Sequence, residues 1–246
     1  MSSTKLKNAP LKEVIFELHW ECNSDNTGMP VDAGFDLAQG KFAEKLKPEF
    51  PLHRKLIPEG APVKFFGVPM HQYWKGEFQW PVIQHGQGMI AVNETEQSYD
   101  WEERFSPLIK STIQKLVSSY DEPLLLNMAK LQYVDAWEMD GVDPADFMKE
   151  NLQTQIVTDF SFPGQLRGFN VQQSFNLDDS SVLQLNIFSG INNQNQKESV
   201  IWTTTIEKSV NLTADEISVW LENAHGQIST MFKKMLKPEF YASLIG

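Results

Sequence analysis

The chain has 246 residues, with 21 Lys+Arg against 32 Asp+Glu, a net charge of −11, 41% hydrophobic and 22% charged residues. These are globular proportions and exclude a disordered chain, and the length fits one large domain or two intertwined halves. The acidic balance argues against broad phosphate-backbone binding, and a single cysteine, Cys22, excludes an intramolecular disulfide.

No apolar run approaches the ~20 residues of a transmembrane helix. The start of the chain lacks the apolar stretch of a signal peptide, so a cytoplasmic protein without membrane attachment is expected.

Residues 11–21 alternate. Val14, Phe16, Leu18 and Trp20 point one way, and Glu13, Ile15, Glu17, His19 and Glu21 the other, which predicts a half-buried strand. Residues 22–75 are rich in Pro and Gly and read as an irregular, partner-facing lobe, with a short helix near residues 42–46 and an extended piece at 63–68. Residues 76–93 read as a hairpin. Phe78, Trp80 and Val82 alternate in its first strand, Met89 to Val92 form the second, and Gly86 and Gly88 supply the reversal.

Asp100 and Glu103 form a capping box ahead of an apolar stripe through Phe105, Ile109, Ile113 and Leu116. A strand over residues 124–137 follows, then a short helix from Asp143-Pro144 to about residue 153. Residues 166–176, 182–189 and 199–208 are three further strands. Thr213 and Glu216 form a second capping box. It opens a long helix whose seam is Ile217, Leu221, Ala224, Ile228, Met231 and Met235, with His225 off the seam and exposed.

This order predicts an α+β fold: an antiparallel sheet with long amphipathic helices packed on one face. The expected organisation is a single domain over 1–246 with two pseudo-symmetric halves, about 9–140 and 141–246.

The five histidines lack metal-ligand spacing, and no nucleotide, Walker, kinase or EF-hand motif occurs, so neither metal nor cofactor is expected. Cys22 ends a strand rather than opening a helix, a poor setting for a nucleophile. His19 beside Glu17 is a candidate acid–base pair, although an ion-paired strand face is the ordinary reading. Lys41, Lys45, Lys47, Arg54, Lys55 and Lys64 make 41–64 locally basic, which is the alternative of a nucleic-acid contact.

The more pointed candidate is a neutral polar sheet face. Gln184 alternates with Leu183 and Leu185, Thr203 and Thr205 share a face with Ser199, and Gln173 shares one with Arg167. Tyr73 and Trp74, read as a loop ahead of a glycine, would supply an apolar anchor. The expected partner-binding residues are therefore Tyr73, Trp74, Gln184, Thr203 and Thr205.

Several stretches resemble a sporadically distributed, uncharacterised prokaryotic protein family of about this length. They are the opening Ala9-Pro-Leu-Lys-Glu-Val-Ile-Phe16, the strand Met89-Ile-Ala-Val-Asn93, the helix start Tyr99-Asp-Trp-Glu-Glu-Arg-Phe105, and His225-Gly-Gln-Ile228 with Phe232. The resemblance spans nearly the whole chain, except residues 22–75. It implies a bacterial or archaeal cytoplasmic protein that works with a partner in a defence or toxin–antitoxin type system, and it supplies no catalytic residue. The expected function is a non-enzymatic protein-binding component of a bacterial complex, with another protein or a second copy as partner. Nucleic-acid binding through 41–64 and an enzyme at His19/Glu17 are the alternatives.

Overall fold

The computed structural model describes residues 6–57, 66–95, 99–155, 163, 168–192 and 195–245. The elements in chain order are β1 (Leu11–Trp20), β2 (Asn23–Ser24), β3 (Pro30–Val31), α1 (Phe35–Leu46), β4 (Leu52–Lys55), β5 (His71–Trp74), β6 (Val82–Gly86) and β7 (Met89–Thr95). A π-helical turn (Trp101–Phe105) then runs into α2 (Ser106–Val117), followed by β8 (Leu126–Glu138) and α3 (Pro144–Asn151). The remaining elements are β9 (Asn170–Asn176), β10 (Val182–Ile191), β11 (Glu198–Lys208), α4 (Ala214–Met235) and α5 (Pro238–Ile245).

Nine strands form an antiparallel sheet in the order β4-β5-β6-β7-β1-β8-β11-β10-β9, and β2 and β3 form a separate ribbon. The chain is therefore α+β. It divides into two compact units, each drawn from separate stretches: Glu13–Gln132 with Glu207–Asn223, and Met1–Lys12 with Tyr133–Ile206 and Ala224–Gly246. No helix among the described residues is long and apolar enough to cross a membrane.

In the unit built on Glu13–Gln132, the alternation of β1 sets the core. Phe16 faces Val92 and Leu18 faces Ile90 in the β1–β7 register, and all four are buried. The pleat sends odd positions of β1 to the other side. From α1, Phe35, Ala38, Phe42 and Leu46 are buried, and Phe42 meets Tyr73 edge-on. The Asp100 carboxylate accepts from the Glu103 backbone N–H at 2.9 Å, so this predicted cap forms. Gly86 is required by close approach: a Cβ there would lie 1.9 Å from the Val68 carbonyl oxygen.

In the other unit, β9 and β10 form a hairpin, and its turn is tied by the Asp179 carboxylate accepting from Ser181 N–H. Asp143 caps α3 by accepting from the Ala145 and Asp146 N–H groups. Phe147, Met148, Leu185, Ile187, Val200 and Trp202 make the core. Along α4, Ala224 and Ile228 are buried in this unit and Ile217 and Leu221 in the Glu13–Gln132 unit, as their spacing predicts.

Several expectations need correction. The described residues of 22–75 are not irregular throughout, since they hold the β2–β3 ribbon, α1, β4 and β5. The helix expected near 42–46 begins at Phe35, because Phe35 and Ala38 extend the buried stripe one turn earlier. Residues 63–65 of the expected extended piece lie outside the described residues. The strand expected from residue 76 begins at Val82. His225 is half-buried, with Nδ1 2.8 Å from the Tyr133 hydroxyl. A further helix, α5, follows Pro238, which suits the first turn of a helix as well as the end of the preceding one.

Candidate functional site

The β4–β5–β6–β7–β1 registers sort the Glu13–Gln132 unit into two faces. One carries His53, His71, Tyr73, Ile83, His85, Ile90, Val92, Phe16 and Leu18. The second face carries Leu52, Arg54, Gln72, Trp74, Val82, Gln84, Ala91, Asn93, Glu13, Glu17 and His19.

A hydrogen-bonded ladder crosses this second face. The Trp74 indole N–H donates to Gln72 Oε1 (3.2 Å), and Gln72 Nε2 donates to Gln84 Oε1 (3.2 Å). Gln84 Nε2 then donates to Asn93 Oδ1 (3.0 Å), and Asn93 Nδ2 to Glu13 Oε1 (2.8 Å). Every bond runs the same way and ends on a carboxylate, so each polarises the next. The ladder fixes the amide side chains and holds the Trp74 indole N–H.

At the Trp74 end, the β5–β6 turn presents Phe78. This residue is 68% exposed and holds φ at +54°, a strained value for a bulky side chain. Gln79 N–H donates to the Gly76 carbonyl and closes the turn. The Arg54 guanidinium carbon lies 4.7 Å from the Phe78 ring centroid, and Trp74 meets Phe78 edge-on at 6.3 Å. Trp80 packs on Trp74 at 5.2 Å. A shallow depression beside this tip is lined by Pro51, Leu52, Arg54, Lys75, Gly76 and Glu77. An exposed aromatic with a cation over its ring and a rigid aromatic floor is the composition of an interface anchor.

At the Glu13 end lie Glu17, His19 and Lys130. Lys130 Nζ is 2.7 Å from Glu17 Oε2, and His19 Nε2 is 3.5 Å from the same oxygen, too long for a strong hydrogen bond. Burial alone would raise the Glu17 pKa, but His19 and Lys130 outweigh it and hold the carboxyl below its ordinary range. Glu17 is thus an ionised acceptor already engaged by a lysine. Burial, with Asp32 adding to it, pushes the Cys22 thiol up to about 12, so the reactive thiolate is suppressed. Among the described residues no group of three or more His, Cys, Asp or Glu is placed to hold a metal ion.

Tyr73 and Trp74 are not loop residues. Both lie on β5, 1% and 6% exposed, because the Gly76 turn starts only after them. The Tyr73 hydroxyl accepts from Gln39 Nε2 at 3.1 Å, and its ring points away from Trp74. The exposed anchor is Phe78, four residues further on.

Gln184, Thr203 and Thr205 belong to the other unit. Gln184 is exposed between buried Leu183 and Leu185, while Thr203 and Thr205 are half-buried between buried Trp202, Thr204 and Ile206. Ser199 is buried. Gln173 faces Leu185, on the apolar side, whereas Gln172 and Ser174 face Asn186 and Gln184. Arg167 lies outside the described residues.

In the basic segment, three of the described cations are ion-paired. Lys41 pairs with Asp121, Lys45 donates to Ser118, Lys47 pairs with Glu44, and Arg54 with Glu77. Lys64 lies outside the described residues.

No protein-family model matches the chain, and no curated protein matches it. Among solved structures, it has a weak likeness to the di-domain ARO/CYC StfQ from the steffimycin biosynthetic pathway. The two are 11% identical, with 89% of this chain and 94% of that chain covered, at a TM-score of 0.19. A likeness at that level carries no argument about fold or function.

Proposed function

We propose that the chain is a non-enzymatic protein-binding component of a complex, and that the Phe78 tip is its anchor. In this reading the helices cover one face of the sheet and leave the polar face for a partner. The observation that carries it is Phe78, exposed at a strained backbone angle over Arg54, on a floor of Trp74 and Trp80. Strain of this kind persists where the surroundings over-determine it, and it concentrates at functional sites. Arg54 and Lys75 against Glu77 leave the tip one positive charge in excess, in a chain of net charge −11. The matching partner surface is an apolar pocket with an acidic rim. The bacterial, defence-type setting rests on the family resemblance alone.

The test compares wild-type chain with Phe78→Ala and with the double variant Gln184→Lys/Thr203→Lys in co-purification from native cells. The Phe78 variant is expected to lose the partner and the double variant to keep it. The reverse pattern would move the interface to the other unit's polar face.

A further inference from the structure

The sheet ends on one side at β9, which pairs with β10 alone among the described residues. Six of its seven residues are exposed. An open edge of this kind offers unpaired backbone N–H and C=O groups to any other strand, and proteins normally blunt it with charge, proline or a bulge. The strand Asn170-Val-Gln-Gln-Ser-Phe-Asn176 has no charged residue, no proline and no glycine. The strand at the other end of the order, β4, has only four residues, follows Pro51 and carries Arg54 and Lys55. Among the described residues, one edge is protected and the other is not.

The unprotected edge also reads nearly the same in both directions. About Gln173, Asn170 mirrors Asn176, Val171 mirrors Phe175, and Gln172 mirrors Ser174. In a two-fold antiparallel strand pair each residue faces its mirror position in the second copy, so this pattern sets like side chains against like. We propose that β9 pairs antiparallel with β9 of a second copy of this chain, centred on Gln173.

The faces agree with that register. Val171 and Phe175 lie on the side of Ile187 and Leu183, and Phe175 is 46% exposed. Pairing places Val171 of each copy opposite Phe175 of the other and continues the apolar face across the two-fold axis. Gln172 meets Ser174 on the opposite side and continues the face of Asn186 and Gln184. A slip of one residue would set Val171 against Ser174 and Phe175 against Asn170, or in the other direction Val171 against Asn176 and Phe175 against Gln172, and either ends the match. The nearest acids after the strand, Asp178 and Asp179, lie beyond the paired stretch, so no like charges oppose each other within it. The remaining repulsion between two chains of net charge −11 is long-range. It is screened by salt, so dimerisation strengthens as ionic strength rises.

Analytical ultracentrifugation of the full chain at about 100 µM is expected to give twice the 28.1 kDa chain mass. Gln173→Lys sets two like charges face to face and should weaken the dimer at least about tenfold. In a Cys22→Ser background, Gln173→Cys should form a disulfide-linked dimer on mild oxidation, since facing Cα atoms in such a pair lie within disulfide reach. Asn170→Cys alone should not crosslink, but an equal mixture of Asn170→Cys and Asn176→Cys chains should. A monomer at that concentration overturns the proposal. So does a dimer that gives no crosslink at position 173.

Discussion

His53 Nε2 lies 2.8 Å from His71 Nδ1, and the two rings stack at 5.0 Å. His71 in turn faces His85 across the β5–β6 pair, so a row of imidazoles runs from an exposed strand into the core. His85 is 0% exposed, surrounded by the rings of Trp20, Phe35 and Phe42, and neither of its ring nitrogens has a hydrogen-bond partner among the described residues. Burial pushes His85 down to about 3 and His71 down to about 4. Neighbouring histidines add to both, Lys55 adds to His71, and Asp36 opposes the shift at His71.

This row predicts acid sensitivity. Both groups bind protons less readily folded than unfolded, where the value is 6.5. Their contribution is complete above pH 6.5 and is lost as the pH falls from there through about 4 for His71 and about 3 for His85. The urea midpoint should drop across that window. His85→Leu removes a buried imidazole with two unpartnered nitrogens, so it should gain about 1–3 kcal/mol at pH 7 and flatten the acid limb. A variant with an unchanged acid limb would show that His85 does not drive the loss.

Asp135 makes the opposite prediction. Burial raises its carboxyl from 3.8 to about 7, against a lowering pull from Lys12. A raised folded-state value means that the stabilisation is complete below 3.8 and is lost as pH rises through about 7. Asp135→Asn, which cannot ionise, should gain stability relative to the wild-type chain as the pH rises from about 4 to about 7. Parallel pH–stability curves for the two chains would refute this.

The strands and helices with strong periodicity were legible in the residues. The alternation of β1 and the capping box of α4 each carry enough repeats to fix which face is buried. In α4 both halves of the box form: Thr213 N–H donates to Glu216 Oε2 at 2.7 Å, and Glu216 N–H to Thr213 Oγ1 at 3.2 Å. Phe78 was misread because Phe78, Trp80 and Val82 happen to alternate, and alternation over three residues does not distinguish a turn from a strand. The signal that marks the turn is Gly76, where a Cβ would meet the Gln79 side chain at 2.8 Å. Tyr73 and Trp74 sit on a strand of only four residues, too short for a period to show. The imidazole row and the amide ladder were invisible for another reason. Their members come from separate strands, and only the β-sheet register brings them together.

The α4 seam gives a stability prediction. Leu221 is fully buried in the Glu13–Gln132 unit, so Leu221→Ala should cost about 2–5 kcal/mol in chemical denaturation. Trp74→Ala should also destabilise, by about 3–5 kcal/mol, because its ring is buried and its N–H begins the ladder. Phe78→Ala, by contrast, should stay within about 0.5 kcal/mol of the wild-type chain, as exposed substitutions do. Equal losses for Trp74→Ala and Phe78→Ala would mean that Phe78 is part of the core.

Whether Phe78 anchors a protein partner is read out by placing a photo-crosslinking phenylalanine analogue at position 78 of the full chain in its native cells. Irradiation should yield one dominant covalent adduct to another protein, and the same analogue at position 184 should yield none. An adduct from position 184 with none from position 78 would contradict the account.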